Sequence, residues 1–353
     1  MSRIIGIAPV LPDYAYSQLE ITEELGSFLT ADASKRAVLA RLHAGTGIGT
    51  RYTALPIDAY RDLGSFGTAN DHWIRVGTDL AERAVRHALV AAGLEPADID
   101  HLFFTSVTGL SAPSIDARLI PRLGLRPDIK RVPSFGLGCV AGASGLARVH
   151  DYLLGRPRDI AVLLSVELCS LTVQRSDDSM ANFVASGLFG DGAAAVVIAG
   201  AERAAELGIA GPEIIDSRSG FYPDTSDVIG WDVRDTGFQI VLSSGVAAAI
   251  EANFEPDVSA FLAGHGLTVA DVGAWVAHPG GPRVLETFAT GLGLPESALA
   301  ASWDSLNRVG NLSSSSVLHV LADIGAQPAA TNGLLFALGP GVSAELVLLR
   351  WAA

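Results

Sequence analysis

The sequence predicts an α/β protein built from two related halves. Three observations support this fold class: strand-like apolar runs alternate with helix-like segments, the composition suits buried strands, and the second half repeats the order of the first. The chain has 353 residues, enough for one large domain or two halves. It is 49% hydrophobic and only 18% charged, as expected when helices cover both faces of a sheet. We expect one half at 1–200 and the other at 201–353.

Seven apolar runs have the length and residue types of strands. They are residues 4–10, 102–107, 160–166, 193–199, 274–277, 333–337 and 345–351. Apolar residues recur at helical spacing at 75–92, 145–154 and 246–264. Because such alternation is typical of βαβ units, we expect a mostly parallel sheet system with helices on its faces.

The order of features in the first half recurs in the second. In the first half a strand ends near Val107 and a loop-to-helix turn follows at Cys139. In the second half a strand ends at His278, and a similar turn follows at Asn311 after about the same number of residues. A glycine-containing turn then opens a last apolar strand in each half. This repetition indicates pseudo-symmetric halves whose candidate sites meet in the middle.

Composition excludes several classes of function. The formal net charge of −14 opposes binding to nucleic acid or to an anionic membrane, and leaves room for an anionic small molecule at a few basic residues. Two cysteines cannot form a disulfide framework, which favours a reducing compartment. The N-terminus does not resemble a signal peptide, and no apolar run reaches membrane-spanning length. We therefore expect a soluble cytoplasmic protein.

Cys139 lies in a run of small residues just before a helix-like segment. The surrounding glycines leave its thiol open to reagents, and a helix N-terminus favours the thiolate. A free cysteine that only fills space fits the same window equally well. A loose dinucleotide-binding pattern, G-x-G-x-x-A, begins at Gly136, but it lies mid-chain and ends in alanine. The histidines lack metal-ligand spacing, so we expect no metal site.

Two more polar residues occupy comparable positions. His278 follows an apolar strand and precedes Pro-Gly-Gly-Pro, which places its imidazole at a strand's carboxyl end, where α/β sites form. Asn311 precedes a helix-like segment, where an N-cap is the ordinary alternative. For His278 alone the ordinary alternative is a hydrogen-bonded core histidine. Together with Cys139, they would provide a thiolate–imidazolium nucleophile and two donors that stabilise an enolate.

Five segments containing these residues resemble the type III polyketide synthases, the chalcone synthase-like branch of the thiolase superfamily. The segments are GCVAGA at 138–143, GLFGDGAAA at 187–195, HPGG at 278–281, GNLSS at 310–314 and GPGVSAE at 339–345. The resemblance covers nearly the whole chain. It implies a thiolase-like fold in which two pseudo-symmetric α/β halves form a layered αβαβα core, and it implies a homodimer.

The resemblance also implies an activity. An acyl starter carried by CoA or by an acyl carrier protein would be extended iteratively with malonyl-CoA by decarboxylative Claisen condensation, and then cyclised to a pyrone or a resorcinol-type ring. The bacterial-looking composition favours an alkylpyrone or alkylresorcinol. No cofactor is implied, because the CoA thioesters are substrates. The alternatives are a β-ketoacyl-acyl-carrier-protein synthase III, which performs one condensation, and a non-catalytic thiolase-fold subunit that binds acyl chains.

Roles for single residues follow from the same resemblance. Cys139 matches the acyl-carrying nucleophile, and His278 and Asn311 match the pair that decarboxylates malonyl-CoA. Phe189 matches the gatekeeping phenylalanine between the CoA tunnel and the reaction cavity. Arg41 matches one of the basic residues that contact CoA. Two neighbouring basic positions of the family are Val38 and Gly45 here, for which Lys35 and Arg36 are the candidate replacements.

The remaining matched positions would line the reaction cavity. They are Val107, Thr108, Cys169, Thr172, Trp231, Phe238 and Ile240. Trp231 stands where plant members often have glycine, so its indole would shrink or re-route the cavity. Ile240 aligns with a second gatekeeping aromatic residue, and Phe238 lies two residues earlier. Cys169 lacks the glycine-rich setting of Cys139 and is expected to form part of the wall.

Overall fold

Strands and helices alternate along most of the chain. The structure, a computed structural model, describes residues 1–175 and 177–351. The strands are β1 (Ser2–Val10), β2 (Tyr14–Ser17), β3 (Thr50–Thr53), β4 (His101–Thr105), β5 (Lys130–Ser134), β6 (Ile160–Leu168), β7 (Asp191–Ala199), β8 (Pro212–Phe221), β9 (Ile229–Arg234), β10 (Gly237–Leu242), β11 (Val272–Ala277), β12 (Asn332–Gly339) and β13 (Ser343–Trp351). The helices are α1 (Gln18–Leu29), α2 (Ala33–Ala44), α3 (Phe66–Ala92), α4 (Ile115–Leu123), α5 (Ala141–Leu154), α6 (Met180–Leu188), α7 (Ala201–Leu207), α8 (Gly245–Gly264), α9 (Pro282–Leu292), α10 (Ala300–Val309) and α11 (Ser316–Ile324).

All seven strands predicted from apolar runs are present, as β1, β4, β6, β7, β11, β12 and β13. The three predicted helices correspond to α3, α5 and α8, although α3 begins earlier, at Phe66. Strands β5 and β8 were not predicted because both carry polar side chains. Strand β5 is exposed along most of its length and contains Pro133, and β8 includes Asp216 and Arg218.

Nine strands form one sheet in the order β11-β12-β13-β8-β1-β7-β6-β4-β5. Strands β8 and β1 pair only at Ser2 with Ile214 and Arg3 with Glu213, so this sheet consists of two halves joined by a short contact. From β1 outward, the pairings with β7, β6 and β4 are antiparallel, antiparallel and parallel. From β8 outward, the pairings with β13, β12 and β11 follow the same sequence. The repetition expected from the sequence is therefore built into the pairing of the strands.

The expectation of a mostly parallel sheet is wrong. Among the described pairs of the large sheet, only β4 with β5, β4 with β6, and β11 with β12 are parallel. Strand β13 shows the physical reason: it follows β12 through the tight turn at 340–342, and such a turn joins only antiparallel neighbours.

Helices and half-sheets are stacked in five layers. Helix α3 packs on one face of the first half-sheet around Leu80 and Val166. Helices α5 and α11 lie between the half-sheets, where Leu146 and Val320 join one core. Helices α8 and α9 cover the outer face of the second half-sheet around Phe288. This arrangement is the layered αβαβα core expected of a thiolase-like fold. In the described part of the chain, no helix combines the length and hydropathy needed to span a membrane.

Gly142 of α5 packs directly against the start of α11 and the turn that precedes it. A Cβ atom at this position would lie 2.3 Å from the carbonyl oxygen of Ser314 and 2.8 Å from Cγ1 of Val317. Because a backbone oxygen cannot move aside as a flexible side chain can, this contact requires glycine. It fixes the distance between the turns that precede the two central helices.

We expect Gly142→Ala to lower the free energy of unfolding by about 1–3 kcal/mol, because the added methyl group overpacks the α5–α11 contact. Gly291→Ala is the matched control, since no atom lies within 4 Å of the Cβ it would add to helix α9. That change should be neutral or stabilise by up to about 1 kcal/mol through helix propensity. Urea unfolding of both variants measures the difference, and wild-type stability of Gly142→Ala would contradict the contact.

Candidate active site

Cys139 lies in a single 3-10 turn, Gly138–Val140, that leads directly into α5. Gly138 has a φ of +58°, and a Cβ there would lie 2.6 Å from Cδ of Pro340. A Cβ at Gly339 would lie 2.5 Å from the carbonyl oxygen of Leu137. The two glycines therefore allow the turn after β12 to pack directly against the turn that holds the thiol.

The Cys139 thiol is buried, with 7% of the residue exposed. Its Sγ donates a long hydrogen bond to Oγ of Ser313, at 3.7 Å. Burial raises the pKa of the thiol to about 12, and hydrogen bonding with Ser313, whose hydroxyl can turn to donate to the thiolate, acts in the opposite direction. The resting group is thus a neutral thiol, although the position at a helix start had favoured a thiolate.

His278 continues from the end of β11. Its backbone N–H donates to the carbonyl oxygen of Phe336 at 2.9 Å, which holds the residue at the end of the β11–β12 strand pair. Burial lowers the pKa of the imidazole to about 3. Its Nδ1 has no hydrogen-bond partner among the described residues. A neutral imidazole offers one donor and one acceptor, so this ring can either give or take a proton.

Asn311 is held in place through its backbone. Its N–H donates to the carbonyl oxygen of Leu188, and its carbonyl oxygen accepts from the N–H of Gly190, both at 2.9 Å. These two bonds flank Phe189, which forms a parallel bridge with Asn311. These bonds hold the backbone of Phe189, the proposed gatekeeper, next to the backbone of Asn311.

The orientation of the Asn311 amide follows from its partner. Its Oδ1 accepts from the backbone N–H of Ser313 at 2.8 Å. Because a backbone N–H can only donate, this contact identifies the oxygen of the amide and places Nδ2 on the other side. Nδ2 makes a long bond of 3.4 Å to the carbonyl oxygen of Gly280. It retains donor capacity for a further ligand.

A cavity of about 640 Å³ brings Cys139, His278, Asn311 and Phe189 together on its lining. Most of the other lining residues are apolar and come from α6, α8, α9 and the β12–β13 turn. Sequence reasoning placed Cys139 and Asn311 at equivalent turns of the two halves and His278 at a strand end, and the family resemblance added Phe189. The structure assembles them around one space.

A second, much smaller cavity of about 30 Å³ adjoins Cys139. Five of the residues expected to line a cavity do so here: Val107, Thr108, Cys169, Trp231 and Ile240. Phe189 lines both cavities, so its ring lies at their junction. The small cavity holds about one water molecule, since Trp231 and Ile240 fill much of the space.

Three other residues expected at the site are not on the lining of either cavity. Thr172 is half-buried, and its hydroxyl donates to the carbonyl oxygen of Cys169 at 2.8 Å. Phe238 packs among aromatic rings, including Phe66 at 5.3 Å and Trp231 at 6.0 Å between centroids. Arg41 is exposed on α2. The first two support the cavity wall from behind.

The two candidate replacements for missing basic residues are engaged elsewhere. Lys35 forms an ion pair with Asp178. The guanidinium of Arg36 donates to the carbonyl oxygens of Thr30 at 3.1 Å and Ala31 at 2.8 Å. Neither residue lines the large cavity.

Sequence reasoning missed the buried carboxyl group of Glu167. It accepts hydrogen bonds from the hydroxyls of Ser314 and Thr108 and from the N–H of Val107 at 3.1 Å. Burial raises its pKa to about 7. The group therefore links the wall of the small cavity to the turn that carries Asn311. A glutamate inside a mostly apolar strand was the available signal.

Ser313 was also missed as a partner of Cys139. It has a φ of +51°, a left-handed conformation that is uncommon outside glycine. This conformation lets its N–H reach Asn311 while its hydroxyl reaches Cys139. The run of four serines at 313–316 was the signal, because such a run is unusual in a buried segment.

Comparison with known proteins places both halves in one family. The family description "Chalcone and stilbene synthases, N-terminal domain" matches residues 3–202, and "Chalcone and stilbene synthases, C-terminal domain" matches residues 213–352. The chain is 51% identical to a 1,3,6,8-tetrahydroxynaphthalene synthase of Streptomyces peucetius subsp. caesius, over 99% of this chain and 93% of that protein. It is 35% identical to a putative chalcone synthase of Bacillus subtilis strain 168, over 99% of each chain.

A solved structure gives the same result in three dimensions. The 1,3,6,8-tetrahydroxynaphthalene synthase of Streptomyces coelicolor A3(2), described as a bacterial type III polyketide synthase, superposes with a TM-score of 0.93 at 30% identity over 99% of both chains. These matches favour a polyketide synthase over a single-condensation synthase and over a non-catalytic subunit. The chain belongs to the chalcone and stilbene synthase family and is a type III polyketide synthase.

Proposed function

We propose that Cys139 carries the growing chain and that His278 and Asn311 drive the loss of carbon dioxide from malonyl-CoA. The observation that carries this proposal is the convergence of the three side chains on one apolar cavity. In the loading step the Cys139 proton passes to His278 as sulfur attacks the starter thioester, and His278 then gives this proton to the departing CoA sulfur, so that CoA leaves as a free thiol. Burial disfavours both charged groups, because it raises the pKa of the thiol and lowers that of the imidazole, so the transfer must accompany the attack.

In the extension step, the donor Nδ2 of Asn311 and an N–H of His278 bind the thioester oxygen of malonyl-CoA. Loss of carbon dioxide leaves an enolate whose charge these donors stabilise. The enolate carbon attacks the acyl group on Cys139, forms the new carbon–carbon bond and releases the sulfur. Phe189 and the apolar wall disfavour a buried carboxylate and so favour its loss. Every reactive group comes from the protein or from the thioesters, so the proposal includes no cofactor.

We propose 1,3,6,8-tetrahydroxynaphthalene as the product, with malonyl-CoA as both starter and extender. The 51% identity to a tetrahydroxynaphthalene synthase supports this choice. The ten ring carbons of that compound correspond to five two-carbon units, with no alkyl group left from a starter. Trp231 and Ile240 also line the small cavity of about 30 Å³ on one side of Cys139, which leaves little room for a bulky starter on that side.

A second candidate product is an alkylpyrone made from a longer acyl-CoA. The large cavity supports this candidate, since Met180, Val184, Val246 and Ile250 give it an apolar wall. An alkyl chain of several carbons would be stabilised there by burial of about 0.8 kcal/mol per methylene group. The two products differ in whether an acyl-CoA other than malonyl-CoA is needed.

We also propose that two copies form a homodimer through β5. This strand lies at the edge of the large sheet and is exposed, whereas β11 at the opposite edge is mostly buried. Val132 on β5 and Phe135 just after it are exposed apolar residues. An exposed edge strand with apolar side chains is a ready template for pairing with a second chain.

Incubation with malonyl-CoA alone, followed by mass spectrometry, should yield 1,3,6,8-tetrahydroxynaphthalene. Cys139→Ala should abolish the product, because the chain then has no sulfur to carry it, while Cys169→Ala should retain activity. Addition of long-chain acyl-CoA tests the second candidate. Product formation only in the presence of such a starter would rule out the malonyl-primed assignment, and an active Cys139→Ala variant would rule out the nucleophile.

Ser313→Ala should make the Cys139 thiol harder to ionise, because it removes the hydroxyl that can donate to the thiolate and so lowers the pKa of the thiol. The rate of alkylation by iodoacetamide at a fixed pH below the pKa should fall, by about tenfold for each unit of increase in pKa. The measurement uses a Cys169→Ala background so that only Cys139 reports. An unchanged rate, or a profile shifted to lower pH, would contradict the contact.

Light scattering should give a mass of about twice 36.6 kDa for the wild-type protein. Val132→Glu should shift the mass toward the monomer, because it places a charge on the edge strand. Val90→Glu is the control, since Val90 is 79% exposed on α3, away from that edge. A monomeric wild-type protein would contradict the dimer, and an unchanged Val132→Glu dimer would contradict the β5 interface.

A further inference from the structure

Arg283 is the one lysine or arginine on the lining of the large cavity in the part of the chain that the structure describes. It is the second residue of α9 and lies exposed at the surface. No hydrogen bond or ion pair joins its guanidinium to a described residue. An arginine without a protein partner at the rim of an apolar cavity is available for an anionic ligand.

The segment from His278 to Glu286 forms one wall of the cavity. His278 is 3% exposed at the inner end, Gly280 and Gly281 follow along the lining, and Arg283 is exposed at the outer end. A thioester whose reactive carbon lies beside His278 therefore extends along this wall toward Arg283. The outer end of the ligand is the part that this guanidinium can reach.

The other basic residues considered for this role are less suitable. Lys35 is paired with Asp178, and Arg36 is bonded to backbone carbonyls. Arg41 is exposed on α2, and its neighbour Leu42 reaches the lining while Arg41 itself does not. Arg283 alone combines a free cation with a place on the cavity wall.

The negative charge of the protein favours a local cation wherever the CoA phosphates bind. The protein carries a net charge of −14, and the phosphates of CoA are also negative, so the field of the whole molecule repels the substrate. Glu286 lies on the same lining, one turn further along α9, and its carboxylate adds to the repulsion of the CoA phosphates. A guanidinium matches phosphate geometry with paired N–H donors.

We propose that Arg283 binds the phosphates of the CoA thioester and holds its outer end at the rim of the large cavity. This inference rests on the proposed function, because it assumes that the cavity admits malonyl-CoA to Cys139. It assigns Arg283 a positioning role toward the substrate and none in bond making. The recognised chemistry is phosphate, and its proposed source is free CoA; a carrier protein's phosphopantetheine is the other source that the test separates.

The test compares Arg283→Gln and Arg283→Lys with the wild-type protein, using malonyl-CoA and the phosphate-free malonyl-pantetheine as substrates. For Arg283→Gln we expect the KM for malonyl-CoA to rise about tenfold, as loss of a charged hydrogen bond implies. Its kcat should change little, because binding is lost equally from ground and transition states. The KM for malonyl-pantetheine should stay at the wild-type value. Arg283→Lys should retain most of the affinity for malonyl-CoA, since it keeps the charge.

Arg350→Gln is the matched control, because Arg350 is an exposed arginine on β13 that does not line the cavity; its KM should stay at the wild-type value. An unchanged KM for malonyl-CoA in Arg283→Gln would overturn the inference, and so would an equal loss with both thioesters. A third substrate, malonyl carrier protein, separates the phosphate sources: a KM effect confined to it would overturn CoA as the ligand. Wild-type protein that turns over none of the thioesters would instead overturn the proposed function.

Discussion

In the central layer, the contact between α5 and the turn that leads into α11 sets how far the Cys139 thiol lies from Asn311 and Ser313. Gly142 of α5 meets the backbone of Ser314 at a distance that admits no side chain. Each helix starts at this contact, and each is preceded by a turn that carries a reactive or hydrogen-bonding group. The hydrogen bond between Cys139 and Ser313 is a direct consequence. A shift of either helix would separate the thiol of the first half from the amide of the second.

The buried polar groups of this layer form hydrogen bonds with one another. The hydroxyl of Ser165 on β6 meets those of Ser314 and Ser315 at 2.8 and 2.7 Å. Ser314 also donates to Glu167. Buried polar groups are costly unless each has a partner, and a fully bonded network is correspondingly rigid. This rigidity is transferred to Asn311, whose amide oxygen is held by the N–H of Ser313.

Sequence patterns predicted the elements whose energetics are dominated by burial. Strands β6 and β7, buried throughout and mostly apolar, were predictable from their apolar runs. Strand β8 was not, because its pairing with β13 comes from backbone hydrogen bonds that its polar side chains do not reveal. Resemblance to a family identified Cys139, His278, Asn311 and Phe189, but no spacing indicates which side chains reach a cavity.

Side-chain direction and partner choice explain the differences at the site. Phe238 and Ile240 have the same strand phase, yet Ile240 reaches the small cavity while Phe238 packs against other aromatic rings. Lys35 had the right charge and an approximate position, but Asp178 pairs with it across 143 positions of sequence. A long-range contact of this kind leaves no local signal. Arg283 lies only five residues after His278, but the sequence does not show that its side chain stands on the cavity wall.

Burial of the site affects both the proton transfer from Cys139 and the decarboxylation of malonyl-CoA. Burial makes the charged form costly for each group, raising the pKa of Cys139 and lowering that of His278. Transfer of the proton from Cys139 to His278 therefore needs to coincide with attack on the thioester. The attack moves the negative charge from the sulfur to the carbonyl oxygen, where hydrogen-bond donors can stabilise it. Burial beside Phe189 also raises the free energy of the malonyl carboxylate. Loss of this group as neutral carbon dioxide removes that desolvation cost. The burial that holds the thiol inactive at rest thus also favours the decarboxylation that supplies its reaction partner.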